Sequence, residues 1–498
     1  MNVIHILCDT LRRDHCGPYH HGNPLNSVTS PEQPGWVVPT PNIDRLAEKG
    51  TVFNRAFAGS TPCMPARRDV FTGRYEFLER GWGPLEEGDK DLPSQLSPHP
   101  TTPITSYGKD DVVSYFISDH KNMWCAGSGN YHFGFSGFEF IRGQQEDPWA
   151  TTSEDFYCPP QDQTGKLERY WRNKHIFGDT ENNMPVARTF SNAASWLKRN
   201  ADHNSFYLQI DEFDPHEPWD PPKEILEQFD PRGYYSKDWS SHPPYAKWKD
   251  HMDEETLLSF QARYAGKVVL ADRWLGKILD TMDELNLWQN TMVIFHTDHG
   301  TFNGDHGRIG KMQTHEFSSK NRIPFIVYHP EFGHGERRDH LVQNVDIYAT
   351  VLDAFRKELP SDRHGINIID VLKNPQSSIR DFAIAGQFGR SISITDGTWS
   401  LHQGPDPNEP LFSYGFCEQH FYRGVQLGPY MSGRRLVEHD PVPEDYLGNW
   451  LSNLEEDPTE CENIADKFPT KVTELQHALA NKLKELNAPN ELWKRFKL

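Results

Sequence analysis

The chain has 498 residues and carries 51 Lys and Arg against 71 Asp and Glu, a formal net charge of −20. That balance excludes a general nucleic-acid binder, which needs a basic surface to displace counterions, so an anionic substrate has to meet a local basic pocket. The length predicts two or more units, and 12% aromatic content with 14 Trp excludes a largely disordered chain.

Val3 to Asp9 is a short apolar run closing on an acid, as a buried parallel strand does when it delivers a residue to a sheet's carboxyl edge. The N-terminus enters this strand at once without secretory-signal features, and nowhere do about 18 apolar residues run together. A cytoplasmic protein without membrane spans is expected. Asn42 to Lys49 reads as a helix and Val52 to Ala58 as extended chain. Cys63-Met64-Pro65-Ala66-Arg67 opens a helix, where unpaired N–H groups and the helix dipole favour an anion. By itself the Cys63 thiol is either inert packing or a reactive centre.

Val112 to Ile117 is a second buried-strand candidate, closing on Ser118-Asp119-His120. Residues 143–185, rich in Asp, Asn and Gln, read as a surface excursion. A helix is expected over Val186 to Asn200 and a strand over Ser205 to Asp211. The loop 213–250 is dense in Pro and aromatics; Trp219, Tyr234, Tyr235, Trp239, Tyr245 and Trp248 either stack on a sugar or aryl ring or pack among themselves.

From Glu254 to Leu287, apolar residues recur at four- and three-residue steps, which predicts one long helix covering a sheet in preference to a coiled coil. Strands Thr291 to His296 and Ile323 to Tyr328 and a helix Val345 to Phe355 complete the alternation. Beyond residue 375, Ser391 to Thr395 and Thr398 to Gln403 flank Asp396-Gly397, a hairpin signal. A last amphipathic helix, Thr470 to Leu486, aligns Val472, Leu475, Leu479, Leu483 and Leu486. The expected fold is α/β: a large mixed, mainly parallel sheet flanked by helices over residues 1–375, and a smaller C-terminal α+β domain with an antiparallel sheet over 376–498. Seven cysteines, an odd number without a CxxC, predict reduced thiols; apart from Cys63, they (Cys8, Cys16, Cys125, Cys158, Cys417 and Cys461) read as packing or surface residues.

Asp9 and Asp298 both end predicted strands and so meet above the sheet's carboxyl edge, where α/β proteins bind ligands. Carboxylates suit hard cations and His299 adds an imidazole. Gly304-Asp305-His306-Gly307 reads as loop-shaping. His216, on the Pro-flanked segment Asp214-Pro215-His216-Glu217-Pro218, is either a solvent-facing side chain or a proton donor, and Lys311 either a surface lysine or an ammonium aimed at a negative substrate.

Taken together these residues resemble the type I sulfatases of the alkaline phosphatase superfamily. The resemblance rests on Asp9, Pro39-Thr40-Pro41-Asn42-Ile43-Asp44-Arg45-Leu46, Cys63-x-Pro65-x-Arg67 through Thr72-Gly73-Arg74, Pro215-His216, Asp298-His299-Gly300, Gly310-Lys311, Arg322-Ile323-Pro324, and Leu454 to Ile464 with its Asp457-Pro458. It implies an alkaline phosphatase-like fold and a sulfuric ester hydrolase, arylsulfatase-like or a carbohydrate sulfatase. A separate maturation enzyme that reads Cys-x-Pro-x-Arg would convert Cys63 to formylglycine, whose hydrate attacks sulfur. Asp9, residue 63, Asp298 and His299 would hold one divalent cation, calcium favoured and manganese the alternative. His216 would protonate the departing alkoxide, and Arg67 and Lys311 would hold charge on the sulfuryl oxygens. The implied substrate is a small-molecule or oligosaccharide sulfate ester.

Three positions depart from the family pattern. Thr10 stands where most relatives have a second acid, so one metal ligand is replaced or lost. Ser118-Asp119-His120-Lys121 replaces the usual Gly-Lys-Trp-His, so His120 or Lys121 would supply one of two extra sulfate contacts. His299 stands where many sulfatases have Asn, as in related phosphonate and phosphate-ester hydrolases. A phosphonate monoester or phosphodiester hydrolase is therefore the competing reading; a non-catalytic binding homologue is disfavoured because the nucleophile, Arg, acids, His and Lys all persist. A homo-oligomer is the generic expectation.

Overall fold

Eight strands build the large sheet: β1 (Asn2–Cys8), β2 (Thr51–Phe57), β3 (Val113–Ser118), β4 (Gly137–Phe140), β5 (Phe206–Glu212), β6 (Thr291–His296), β7 (Phe325–Tyr328) and β8 (Glu336–Gln343). The computed structural model describes residues 1–498 apart from 29–31, 87, 99–100, 126–127, 164, 204, 231–239, 312–313, 416–434, 438–441 and 443–445. Tyr234, Tyr235, Trp239 and Cys417 lie outside the described residues. The strand order is β8-β2-β7-β6-β1-β5-β3-β4. β4, β3, β5, β1 and β6 run parallel, β8 runs parallel to β2, and β7 is antiparallel to both of its neighbours.

Both faces of the sheet are covered, which explains why its central strands are near-continuous apolar runs. Ile4, Ile6, Leu208, Ile210, Val293 and Phe295 face one core with residues of three helices: α1 (Pro41–Lys49), α3 (Pro185–Asn200) and the 31-residue α4 (Glu254–Glu284). Val3, Tyr207, Met292 and Ile294 face the other core with α2 (Cys63–Thr72) and α5 (Asp346–Ala354). Local chemistry sets the helix ends. Asp253 caps α4 by accepting from Thr256 N at 2.8 Å, with Glu254 and Glu255 in its first turn, and α2 stops at Gly73 in the left-handed region, φ 67°.

The second sheet orders β12 (Asn449–Asn453), β11 (Trp399–Gln403), β10 (Ser391–Thr395) and β9 (Ala383–Gln387), all antiparallel, and then adds Ser60–Thr61 in parallel. Asp396 Oδ1 accepts from Thr398 N (2.9 Å) and Trp399 N (2.7 Å), closing the expected hairpin. α6 (Pro469–Glu485) packs Val472, Leu475, Leu479 and Leu483 against Ile392, Ile394, Leu401 and Leu451.

Several details differ from the sequence expectation. β7 begins two residues later than expected, and β4 and β8 are unforeseen; β8 is an edge strand whose charged first half is mostly exposed and whose second half is buried. The 143–185 excursion contains a helix, Lys166–Phe177, that buries Tyr170. In the aromatic loop, Trp219 packs edge-on against Tyr264 of α4 and Trp248 is buried, whereas Tyr245 faces Lys311. The six described cysteines are free. Among the described residues no helix is long and apolar enough to cross a membrane.

Candidate active site

The parallel strands end at one edge. Asp9 follows β1, Asp211 lies near the end of β5, and Asp298-His299 follows β6. Cys63 enters the same space as the first residue of α2 and is buried. Its Sγ lies 3.3 Å from His299 Nε2 and 3.7 Å from Asp9 Oδ1. One donor atom each from Asp9, Cys63, Asp298 and His299 falls within 4.8 Å of the others.

Arg67, one turn along α2, ties this group together. Its Nη1 meets Asp9 Oδ2 at 2.9 Å and Asp298 Oδ2 at 2.8 Å, and its Nε and Nη2 form a two-pronged pair with Asp211 at 2.8 and 2.6 Å. Asp211 was legible as another strand-terminal acid, yet nothing in the sequence linked it to Arg67. Burial pushes Asp211 up to about 6 despite that pair. Burial also raises Asp298, but His299 and Arg67 outweigh it and hold the carboxyl below its ordinary range.

Thr10 supports the acids from behind. Held at φ 64°, it donates its N–H to Asp298 Oδ1 (2.9 Å) and its hydroxyl to Asp9 Oδ1 (2.5 Å). Gly300 lets the backbone at Ser319 approach, where a Cβ would stand 2.2 Å from Ser319 O. A helix N-terminus alone would favour a thiolate at Cys63. Burial, Asp9 and Asp298 prevail instead and push the thiol well up, so the unmodified side chain is a neutral thiol. Two carboxylates, an imidazole and residue 63 form a buried donor set that suits a divalent cation.

His216 and Lys311 form a second corner. Lys311 Nζ lies 2.8 Å from His216 Nε2 and 2.6 Å from Glu217 Oε1, while His216 Nδ1 meets Glu217 O at 2.6 Å. The imidazole stacks on Phe213 with ring centres 3.9 Å apart. Burial lowers His216 to about 3 against the pull of Glu217, so the ring is neutral and accepts from the ammonium. Burial lowers Lys311 too, but the carboxylates of Glu217 and Asp9 outweigh it and keep the amine charged. Glu217, also bonded by Tyr245, was quoted in the sequence without a role.

His120 and Lys121 separate. His120 Nδ1 lies 3.9 Å from Asp9 Oδ2 and is buried without a hydrogen bond. Lys121 is paired at 2.5 Å with Glu146, in the excursion. Asp305 pairs with Arg12, outside the donor set.

A second acid group lies beside the first. Asp119 accepts from Phe213 N at 2.9 Å, Glu212 from Asp214 N at 2.8 Å, and Asp214 pairs with Lys267 of α4 at 2.7 Å. Burial, reinforced by Asp214, pushes Asp119 up to about 8, and burial with Asp119 raises Glu212 well above its ordinary range.

Comparison with known proteins adds the family. A family model described as Sulfatase matches residues 1–357. An arylsulfatase of Clostridium perfringens (strain 13 / Type A) is 22% identical over 420 residues, covering 76% of this chain and 80% of the relative. A solved structure of a protein in complex with its substrate D-glucosamine-2-N,6-O-disulfate superposes with TM-score 0.66 at 16% identity, covering 98% of this chain and 99% of that one. A phosphonate monoester hydrolase of Agrobacterium radiobacter also reaches 0.66, at 19% identity, covering 98% and 95%.

Proposed function

We propose that this chain, which belongs to the sulfatase family and is a sulfuric ester hydrolase, cleaves sulfate monoesters of small molecules or oligosaccharides with residue 63 as a formylglycine nucleophile. The observation that carries this reading is the convergence of Cys63, Asp9, Asp298 and His299 on Arg67. A neutral buried thiol is a poor nucleophile, which favours a maturation enzyme replacing it by an aldehyde. The aldehyde hydrate has two hydroxyls. One attacks sulfur and displaces the alcohol; the other then gives up its proton as the carbon–oxygen bond to sulfate breaks and the aldehyde reforms.

Asp9, residue 63, Asp298 and His299 would hold one divalent cation, calcium favoured and manganese the alternative; when bound it would supply Lewis acidity and lower the hydroxyl's pKa. Arg67 keeps Asp9, Asp298 and Asp211 fixed around residue 63 and places positive charge beside it. The proton for the departing oxygen resides on Lys311 Nζ, held against His216 Nε2, so the pair rather than His216 alone serves the leaving group. His120 is the remaining candidate for a sulfate contact; Lys121 would first have to leave Glu146. His299, an imidazole in contact with Sγ, sustains a second reading, a phosphonate monoester or phosphodiester hydrolase.

Mass spectrometry of the peptide carrying residue 63, from protein made with the maturation enzyme, should show a loss of ~18 Da relative to the thiol. An unmodified thiol in active protein would remove the mechanism. Faster turnover of a phosphodiester than of an aryl sulfate would select the second reading.

A further inference from the structure

Outside the catalytic group, a cavity of about 40 Å³ lies between the segment after Thr10, the turn Ser318–Asn321 and the Pro458-Thr459 segment. Arg12, Arg13, Asp14, Ser318, Ser319 and Arg322 line it, with Val28, Pro458 and Thr459. Arg12 and Asp14 satisfy each other, Arg12 also pairing with Asp305 and Asp14 with His15.

Arg13 and Arg322 differ. Both point an Nη2 at the same acceptor, Asn54 O, at 3.4 and 3.2 Å, so two guanidinium groups stand side by side. Among the described residues neither has a carboxylate within ion-pairing distance, and the Nε of each is buried without a partner. The hydroxyls of Ser318 and Ser319, two residues more than nine-tenths buried, are also unpartnered. Burial, then the charge of Arg13, lowers Arg322 to about 9, which expresses the same strain. Two adjacent cations and two idle hydroxyl donors around one small cavity are the complement of an oxyanion.

We infer that Arg13, Arg322, Ser318 and Ser319 form a second anion site, separate from the catalytic centre, that takes one free inorganic oxyanion of the sulfate or phosphate class. The cavity, about 40 Å³, matches a single small oxyanion. It also touches the catalytic loops on two sides: Arg12 and Arg13 continue from Asp9-Thr10, and Gly300 N donates to Lys320 O at 2.6 Å, directly after Asp298-His299. Occupancy would brace both loops, so the anion released by hydrolysis would stabilise the enzyme that makes it.

Crystals soaked in selenate should show an anomalous selenium peak among these four residues, in addition to any peak beside residue 63. In calorimetry with sodium sulfate the wild-type protein should bind one ion that Arg13→Gln and Arg322→Gln each weaken about tenfold or more, any further ion beside residue 63 being left unchanged. Arg13→Lys, which retains the charge, should weaken it less and serves as the control for folding. Selenate beside residue 63 alone, or sulfate binding that neither Gln variant alters, would overturn the site. Neither result depends on turnover, so loss of the sulfatase reading would leave this test intact.

Discussion

Two groups of buried acids share the carboxyl edge of the large sheet and end in different charge states. Asp9, Asp211 and Asp298 surround Arg67, which touches all three. Asp119, Glu212 and Asp214 have Lys267, whose ammonium pairs with Asp214 and Asp220 and with neither of the others. Burial costs both groups alike. The His299 imidazole and a guanidinium with several N–H groups, helped by the backbone of Thr10 and His299, keep Asp298 ionised; a single ammonium leaves Asp119 and Glu212 favouring the proton. The first group is therefore equipped to hold a cation and the second is nearly neutral scaffolding behind it.

The sharpest break between the two groups comes at residue 63, the proposed nucleophile. Cys63→Ala should lower aryl sulfate turnover by about 10⁴-fold or more while leaving the melting transition in place, because the side chain does chemistry rather than packing. Arg67→Lys keeps one charge and loses the fork; turnover should fall about 10²–10³-fold. Metal analysis of Asp298→Ala should find the divalent cation gone, and retained metal would mean that the ligands lie elsewhere.

Lys267→Met tests the other group. It strands Asp214 and should cost about 3–5 kcal/mol in chemical denaturation. The smallest effect is the pH dependence of Asp119. Its folded pKa, raised from 3.8 to about 8, means that the native state holds a proton the unfolded chain releases. That contribution to stability is complete below about pH 4 and is lost as pH rises through 8. Asp119→Asn, fixed in the neutral form, should flatten the fall in melting temperature across that window by a few degrees at most. An unchanged profile would show Asp119 to be ionised like Asp298.

Much of this was legible before any coordinates. Apolar runs closing on Asp9, Asp211 and His296-Thr297-Asp298 mark parallel strands because both sheet faces are buried, and the four- and three-residue rhythm of α4 marks a helix lying on them. Short or charged elements were not legible: β4 has four residues and β8 opens with Glu336, Arg337 and Arg338, so neither has the pattern of a buried strand. At the site, the sequence singled out the chemistry-bearing side chains but not their partners. Lys121 illustrates this: the same residue that suggested a sulfate contact is neutralised by Glu146, which comes from an excursion with no readable pattern.

Residue types and their order thus determined the family, the strand-terminal acids and the Cys63-x-Pro65-x-Arg67 segment, because each depends on a few neighbouring residues. Only the tertiary structure decided that Arg67 would bind Asp211, that Lys311 would lean on Glu217 and His216, that Asp298 would stay ionised while Asp119 and Glu212 favour the proton, and that Arg13 would face Arg322. Those outcomes rest on groups far apart in the chain that sheet order and burial bring within hydrogen-bond reach, and electrostatics in a dry interior depends on such distances more than on identity.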